Sequence, residues 1–479
     1  MHRSVLTWLL ALAAALGPTW AAGAAAPPDR PSSEAPPPSG ATGPAERLVA
    51  GLDPSLAQLT AEVLARNPDL ARSRREAAAA ALRAPQVRAL PDPVASLTPF
   101  LASPETRVGP QQVAAGLSQR LPWVGKLALK EQAALHAAEA AGAEAEARAV
   151  ALVTETRRLG YDLAFLAAQE EAVRADRATL EHYEELARAR YASGMGLEQA
   201  VVKIQAEITK DDTRLLDIAT RRAALVASLN ALRAAPPDAP LPPLALPETL
   251  SLPELSYPAL ERMALAVRPE VARARARIAE AGTMVELAKR EYRPDVTLGL
   301  TYTLVGKRED SAGRAMPPED NGDDVVALMA GVNLPVRRKK LAAGVQEATE
   351  RELAAQESLR GVAAEIDKAL GDLLRRIPLT AEQLELFEEV LTVQAEEALR
   401  SAETAYGAGA LGALDLLDAE RVQLEVRVAA ARARADLAIA VARLEGAVAT
   451  PLVGMPPETL DPPAPAEGEP AAAGVRSTK

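Results

Sequence analysis

Two sets of residues have types and spacing that could do chemistry. Asp415 and Asp418 lie three apart, so both carboxylates fall on one helix face. Clustered carboxylates repel each other and attract cations; the plainer alternative is a solvated acidic face. The second set is two short turns, Gly194, Met195, Gly196 and Leu197, and Gly409, Ala410, Leu411 and Gly412. Glycine permits a tight reversal between antiparallel helices and leaves backbone open to a partner. Other chemistry is missing from the sequence. The 3 histidines, His2, His136 and His182, are scattered singly, and there is no cysteine, which excludes disulfides, thiol catalysis and thiolate metal sites. The sequence has no phosphate loop, zinc-helix motif or nucleophile elbow. No enzyme activity, cofactor or bound metal is expected, and any transport must draw its energy from a partner.

The elements that position these residues are long helices. Aromatics make up 3% of 479 residues and alanine is abundant, a composition of extended helices and not of a large globular core. The formal charge of −11 argues against a nucleic-acid partner. At the N-terminus, Arg3, an apolar stretch over 5–16 and the small residues Ala22-Gly23-Ala24 read as a signal peptide over 1–24. No later apolar run is long enough for a transmembrane helix.

Proline divides the rest. It clusters over 27–44, 236–258 and 451–470, and is absent from 126–233 and 379–450. Helix interiors exclude proline, so the latter stretches are expected to be helical. The landmarks also recur. Asn67-Pro68 is echoed by Arg268-Pro269, Pro91-Asp92 by Pro294-Asp295, Leu121-Pro122 by Leu334-Pro335, and Tyr191-Ala192-Ser193-Gly194 by Tyr406-Gly407-Ala408-Gly409. Four echoes in one order indicate two copies of one unit. The expected organisation is a disordered Pro-rich segment over 25–47, repeat 1 over 48–233, a Pro-rich linker over 234–256, repeat 2 over 257–450 and a disordered tail over 451–479. Each repeat is expected to hold a helix (50–89 or 257–290), two strands and a long helical hairpin. In the second hairpin Pro378 predicts a kink or break.

The strands carry period-two patterns. Val296, Leu298, Leu300, Tyr302 and Leu304 alternate with Thr297, Gly299, Thr301 and Thr303. The segment over 326–334 alternates too; 113–121 does so more weakly, and 93–102 least. Such length and patterning suit membrane-spanning β-strands. Four strands cannot close a barrel, and lipid tolerates no open edge. Three copies would supply about twelve strands, enough to enclose a lumen. The fold class expected is therefore mainly α with a small β part: duplicated coiled-coil hairpins forming an α-barrel, and four strands per chain joining a trimeric 12-stranded transmembrane β-barrel.

The segment Tyr406-Gly407-Ala408-Gly409-Ala410-Leu411-Gly412-Ala413-Leu414-Asp415-Leu416-Leu417-Asp418-Ala419 is similar to a motif of the TolC-like outer-membrane efflux family. Leu121-Pro122-Trp123-Val124-Gly125-Lys126 resembles the strand-to-helix corner of its metal- and drug-efflux branch. The resemblance spans roughly 55–450. It implies a homotrimer in outer-membrane lipid whose helical tube extends into the periplasm. Through a periplasmic adaptor it would give passive exit to substrates of an inner-membrane efflux transporter. The two turns would be the adaptor-docking tips, and Asp415 and Asp418 a lumen-facing gate sensitive to divalent ions and low pH. The first copy has Ala200 at the acidic position, and Leu411 stands where the family's best-known member has a tip-locking arginine. A periplasmic adaptor or a coiled-coil scaffold of an export complex is the alternative reading; the adaptor would have one hairpin, and the scaffold gives no reason for alternating strands.

Overall fold

The computed structural model describes residues 43–250, 252–253 and 256–454. The expected signal peptide lies outside them, as does most of the N-terminal Pro-rich segment and of the tail. From Pro44 on, the described chain packs as one unit.

Short helices come first: α1 (Pro44–Ala50), α2 (Pro54–Arg66), α3 (Pro68–Ala81) and α4 (Arg83–Arg88). The single helix expected over 50–89 is thus several. Its clearest break is at Asn67, whose φ of −61° and ψ of 121° are extended. The ring of Pro68 drives the preceding residue out of the helical region, and the Asn67 side chain caps the new helix by accepting from the Leu70 N–H at 3.0 Å. α1 begins inside the segment expected to be disordered, because Ala45 and Leu48 are buried against a long helix that follows.

That helix is α5 (Lys126–Ala192), 67 residues long and so roughly 100 Å at about 1.5 Å per residue. It returns as α6 (Glu198–Leu232). The described residues of the linker that follows carry no helix or strand, but Leu241 and Leu244 pack on the buried Leu59, Leu159 and Leu229. Repeat 2 opens with α7 (Tyr257–Val267) and α8 (Pro269–Arg290). They are separated at Arg268, φ −62° and ψ 127°, the same proline-imposed break as at Asn67.

After a short helix in the strand-connecting loop, α9 (Ser311–Ala315), the second hairpin runs as α10 (Arg338–Glu385), α11 (Thr392–Gly407) and α12 (Ala413–Val448). The break expected at Pro378 is absent. Leu370, Leu373 and Ile377 bury one side of α10 while the proline is exposed, so packing keeps the helix continuous through it. The irregularity falls later, in a π-helical turn over Leu386–Leu391, where the Thr392 hydroxyl donates to the Phe387 carbonyl at 2.7 Å. At the C-terminal end Leu452 is fully buried, and its N–H donates to Glu445 at 2.6 Å.

The strands are β1 (Val94–Pro99), β2 (Glu105–Thr106), β3 (Gly109–Leu121), β4 (Val296–Val305) and β5 (Val325–Val332). The main sheet is antiparallel in the order β1-β3-β4-β5; the two-residue β2 folds back on β3. One hairpin comes from each repeat, and β3 pairs with β4 to join them. The outer edges of β1 and β5 have no neighbour among the described strands.

Candidate functional site

Both hairpin turns are built alike. Gly194 and Gly409 take φ of 74° and 78°, a region side chains disfavour. In the first tip the Gly194 N–H donates to Tyr191 O at 3.0 Å and the Met195 N–H to Arg190 O at 2.9 Å. In the second, Gly409 donates to Tyr406 O at 3.0 Å and Ala410 to Ala405 O at 2.9 Å. This is one helix-ending motif used twice, with glycine at the left-handed position. Met195 and Leu197 are largely exposed, as are Ala410 and Gly412; Gly196 and Leu411 are half-buried.

Asp415 and Asp418 both lie exposed on one side of α12, near its start. The opposite side carries the buried Leu416, which packs with Leu180, Tyr183, Ile204 and Leu399. The two tips are tied within the chain by Arg190. Its guanidinium lies 4.5 Å from the Tyr406 ring centroid and donates to the Gly407 carbonyl at 3.0 Å. A cation at the end of α11 meets the carbonyl-rich, partly negative end of that helix. The basic contact at the tips thus comes from repeat 1, not from position 411.

Acids at helical spacing ordinarily lie on a solvated face, but three that have an unpartnered oxygen do not. Asp176 on α5, Asp211 on α6 and Glu420 on α12 are 6%, 0% and 4% exposed. Each has a side-chain oxygen without a hydrogen-bond partner. Burial, with Asp211 and Glu420 alongside, pushes the Asp176 carboxyl far above the usual range, to about 9. Burial also raises Glu420. Helical spacing alone gives no sign that three other helices cover these positions.

At the other end of α5 the corner Leu121-Pro122-Trp123-Val124-Gly125-Lys126 closes on Asp295. Gly125 caps the helix at φ 90°. Lys126 is buried, and its Nζ donates to Asp295 at 2.9 Å, to Glu291 at 3.2 Å and to the Arg293 carbonyl at 3.1 Å. Asp295 also accepts from Arg120 at 2.6 Å and the Trp123 N–H at 3.0 Å. Burial alone would raise this carboxyl, but its three donors prevail and hold it down at about 2. The repeated Pro-Asp landmark hints at Asp295, yet its counterpart Asp92 is exposed.

Above this junction the register sorts the strands into two faces. Leu300 pairs with Leu117 on one side and Leu328 on the other, and Leu117 pairs with Ala95. Two residues along, Leu298 pairs with Gln119 and Ala330; two the other way, Tyr302 pairs with Ala115 and Val326. Neighbouring rows alternate: Thr301 meets Gly116 and Ala327. One face of the sheet is therefore apolar but for Gln119, and the other is mostly small or polar, with Val94, Val325 and Met329 as its exceptions. The apolar face is uncovered, with Leu97 70%, Leu117 56% and Leu328 86% exposed.

No described helix is long and apolar enough to cross a membrane. Two long helical hairpins and an antiparallel sheet with one exposed apolar face thus make up the described chain. Residues 260–450, nearly all of repeat 2, match the outer membrane efflux protein family. The whole described chain has the fold of TolC-like efflux channels. The outer-membrane channel OprN superposes with a TM-score of 0.70 at 18% identity, over 84% of this chain and 91% of that one. The outer membrane protein VceC of Vibrio cholerae gives 0.67 at 22%, over 83% and 96%. The open-state MtrE outer membrane channel of Neisseria gonorrhoeae gives 0.68 at 20%, over 84% and 90%. No curated protein matches the sequence. The family resemblance of the segment from Tyr406 to Ala419 is borne out.

Proposed function

We propose that three copies of this chain assemble into one passive duct through the outer membrane. The observation that carries this reading is the apolar face that runs in register across β1, β3, β4 and β5 and ends at two unpaired edges. Lipid would cover the face, but no backbone edge can be left open in lipid. Pairing β5 of one copy with β1 of the next satisfies both edges, and about twelve strands then close around water. The duplicated hairpins continue the wall into the periplasm, packed along their lengths against neighbouring copies. The two-repeat organisation supports such a nearly six-fold tube.

The tips around Gly194–Leu197 and Gly409–Gly412 are the proposed docking surface for a periplasmic adaptor, which links the duct to an inner-membrane efflux transporter. The exposed Met195 and Leu197 and the open glycine backbone suit a helical hairpin partner. In a trimer, Asp415 and Asp418 contribute six carboxylates at the narrow end and favour cations there. Single-channel recording in planar bilayers tests the gate. Asp415→Ala combined with Asp418→Ala is expected to abolish most of the cation preference and to weaken block by divalent ions. Unchanged selectivity would remove the gate assignment.

A further inference from the structure

The three buried carboxylates stand apart from the proposed gate and are used by nothing above. They come from three helices, α5, α6 and α12, at a level where both hairpins meet. Asp176 and Glu420 also border a cavity of about 330 Å³ between α5, α11 and α12. We propose that Asp176, Asp211 and Glu420 form a proton-occupied joint that clamps α12 against the first hairpin and lets it go when the proton is lost.

The geometry explains why a proton belongs there. Each carboxylate is at least nine-tenths buried, and each has an oxygen with no partner. Fully ionised, the trio would hold like charges together in a water-poor layer, which is costly. A carboxyl that keeps its proton becomes a donor and can bridge its neighbours. Asp176 sits between the other two and is the member that burial and its acidic neighbours drive furthest toward the neutral form.

The surrounding charges do not cancel the trio. On α5, Tyr183 gives its hydroxyl to Glu403 at 2.6 Å, and burial raises that phenol out of titration range. On α6, Arg214 bonds the other oxygen of Asp211 at 2.7 Å, and neither Asp176 nor Glu420 has an ion pair of its own among the described residues. On α11, Glu396, Arg400 and Glu403 line the cavity, and on α12 Arg427 faces Glu396 at 3.7 Å. Arg427 is thus shared between Glu396 and the field at Glu420, where burial outweighs it and the carboxyl stays raised.

Glu420 follows Asp418 by two residues and points to the other side of α12, inward where Asp418 faces out. Any rotation that swings Asp418 must drag Glu420 from the joint. Protonation would therefore favour the packed arrangement, and rising pH would favour release. This link to conductance rests on reading α12 as the gate helix; the joint itself does not.

The chain lacks cysteine, so spin labels can be placed cleanly at Glu185→Cys and Val422→Cys in the full-length, detergent-extracted protein. The distance between labels on α5 and α12, followed from about pH 6 to about pH 10, should lengthen and broaden reversibly in the otherwise wild-type chain. Asp176→Asn should hold the neutral-pH distance throughout. Glu420→Gln serves as the second variant if Asp176→Asn does not assemble. A flat wild-type profile, or an equal shift in the neutralised variants, would overturn the joint. Conductance recorded in parallel separates the two readings: a moving distance with constant conductance keeps the joint and discards α12 as the gate.

Discussion

Lys126 and Asp295 show how much a single buried pair can carry. The lysine is taken out of water, bonded to two acids and a carbonyl, at the point where strands hand over to helices. Lys126→Met would leave Asp295 with only Arg120 and one N–H, at a cost of about 3–5 kcal/mol for a broken buried pair. Melting followed by the fluorescence of Trp123, whose N–H bonds Asp295, should fall by many degrees; an unchanged melt would mean the junction is held by packing alone. The sign of the pH effect follows from the lowered carboxyl. Its stabilisation is complete above the ordinary carboxylate range and is lost as pH falls through about 2. Asp176 has the opposite sign. Its carboxyl is raised to about 9, so stability declines as pH climbs from the ordinary carboxylate range toward that value. The tip glycines were legible in the sequence because left-handed backbone selects their type. Neither Asp176 nor Asp295 was, because burial of an acid depends on which distant helix covers it, and helical spacing does not encode that.

The long helices were legible to within a few residues, since α5, α6 and α12 occupy proline-free stretches bounded by glycine or proline. The errors have one source: tertiary packing overrides or adds to local propensity. Pro378 leaves α10 unbroken because its neighbours on the buried side hold the helix, whereas Pro68 and Pro269 split theirs, at matching places in the two repeats. The strands of repeat 2 alternate plainly in sequence. β1 and β3 do not, and only the pairing of β1 with β3 and of β3 with β4 reveals that Ala95, Leu117, Leu300 and Leu328 form one apolar row. That row makes a sharp contrast available. Leu300→Arg puts a charge on the lipid face, at a cost of about 2–4 kcal/mol near mid-membrane, and should abolish most recovery from the outer-membrane fraction. Thr301→Arg, one residue along on the opposite face, should insert normally. Equal loss for both, or for neither, would mean the faces are misassigned.

At the scale of the molecule, the chain is incomplete by itself. Four strands leave two edges open, and α10 is exposed along much of its length. In the proposed trimer both deficits would be met by identical neighbours, strands pairing edge to edge around the wall and hairpins packing side by side below it. The duplication makes the helical part nearly regular although only three chains contribute. Export driven from the inner membrane then needs nothing from this protein but a sealed passage and a tip that an adaptor can grip. Native mass spectrometry of the protein extracted from outer membranes in mild detergent tests this most directly. The account predicts a single species of three chains that conducts ions when placed in a bilayer. A monodisperse single chain with the same conductance would contradict it.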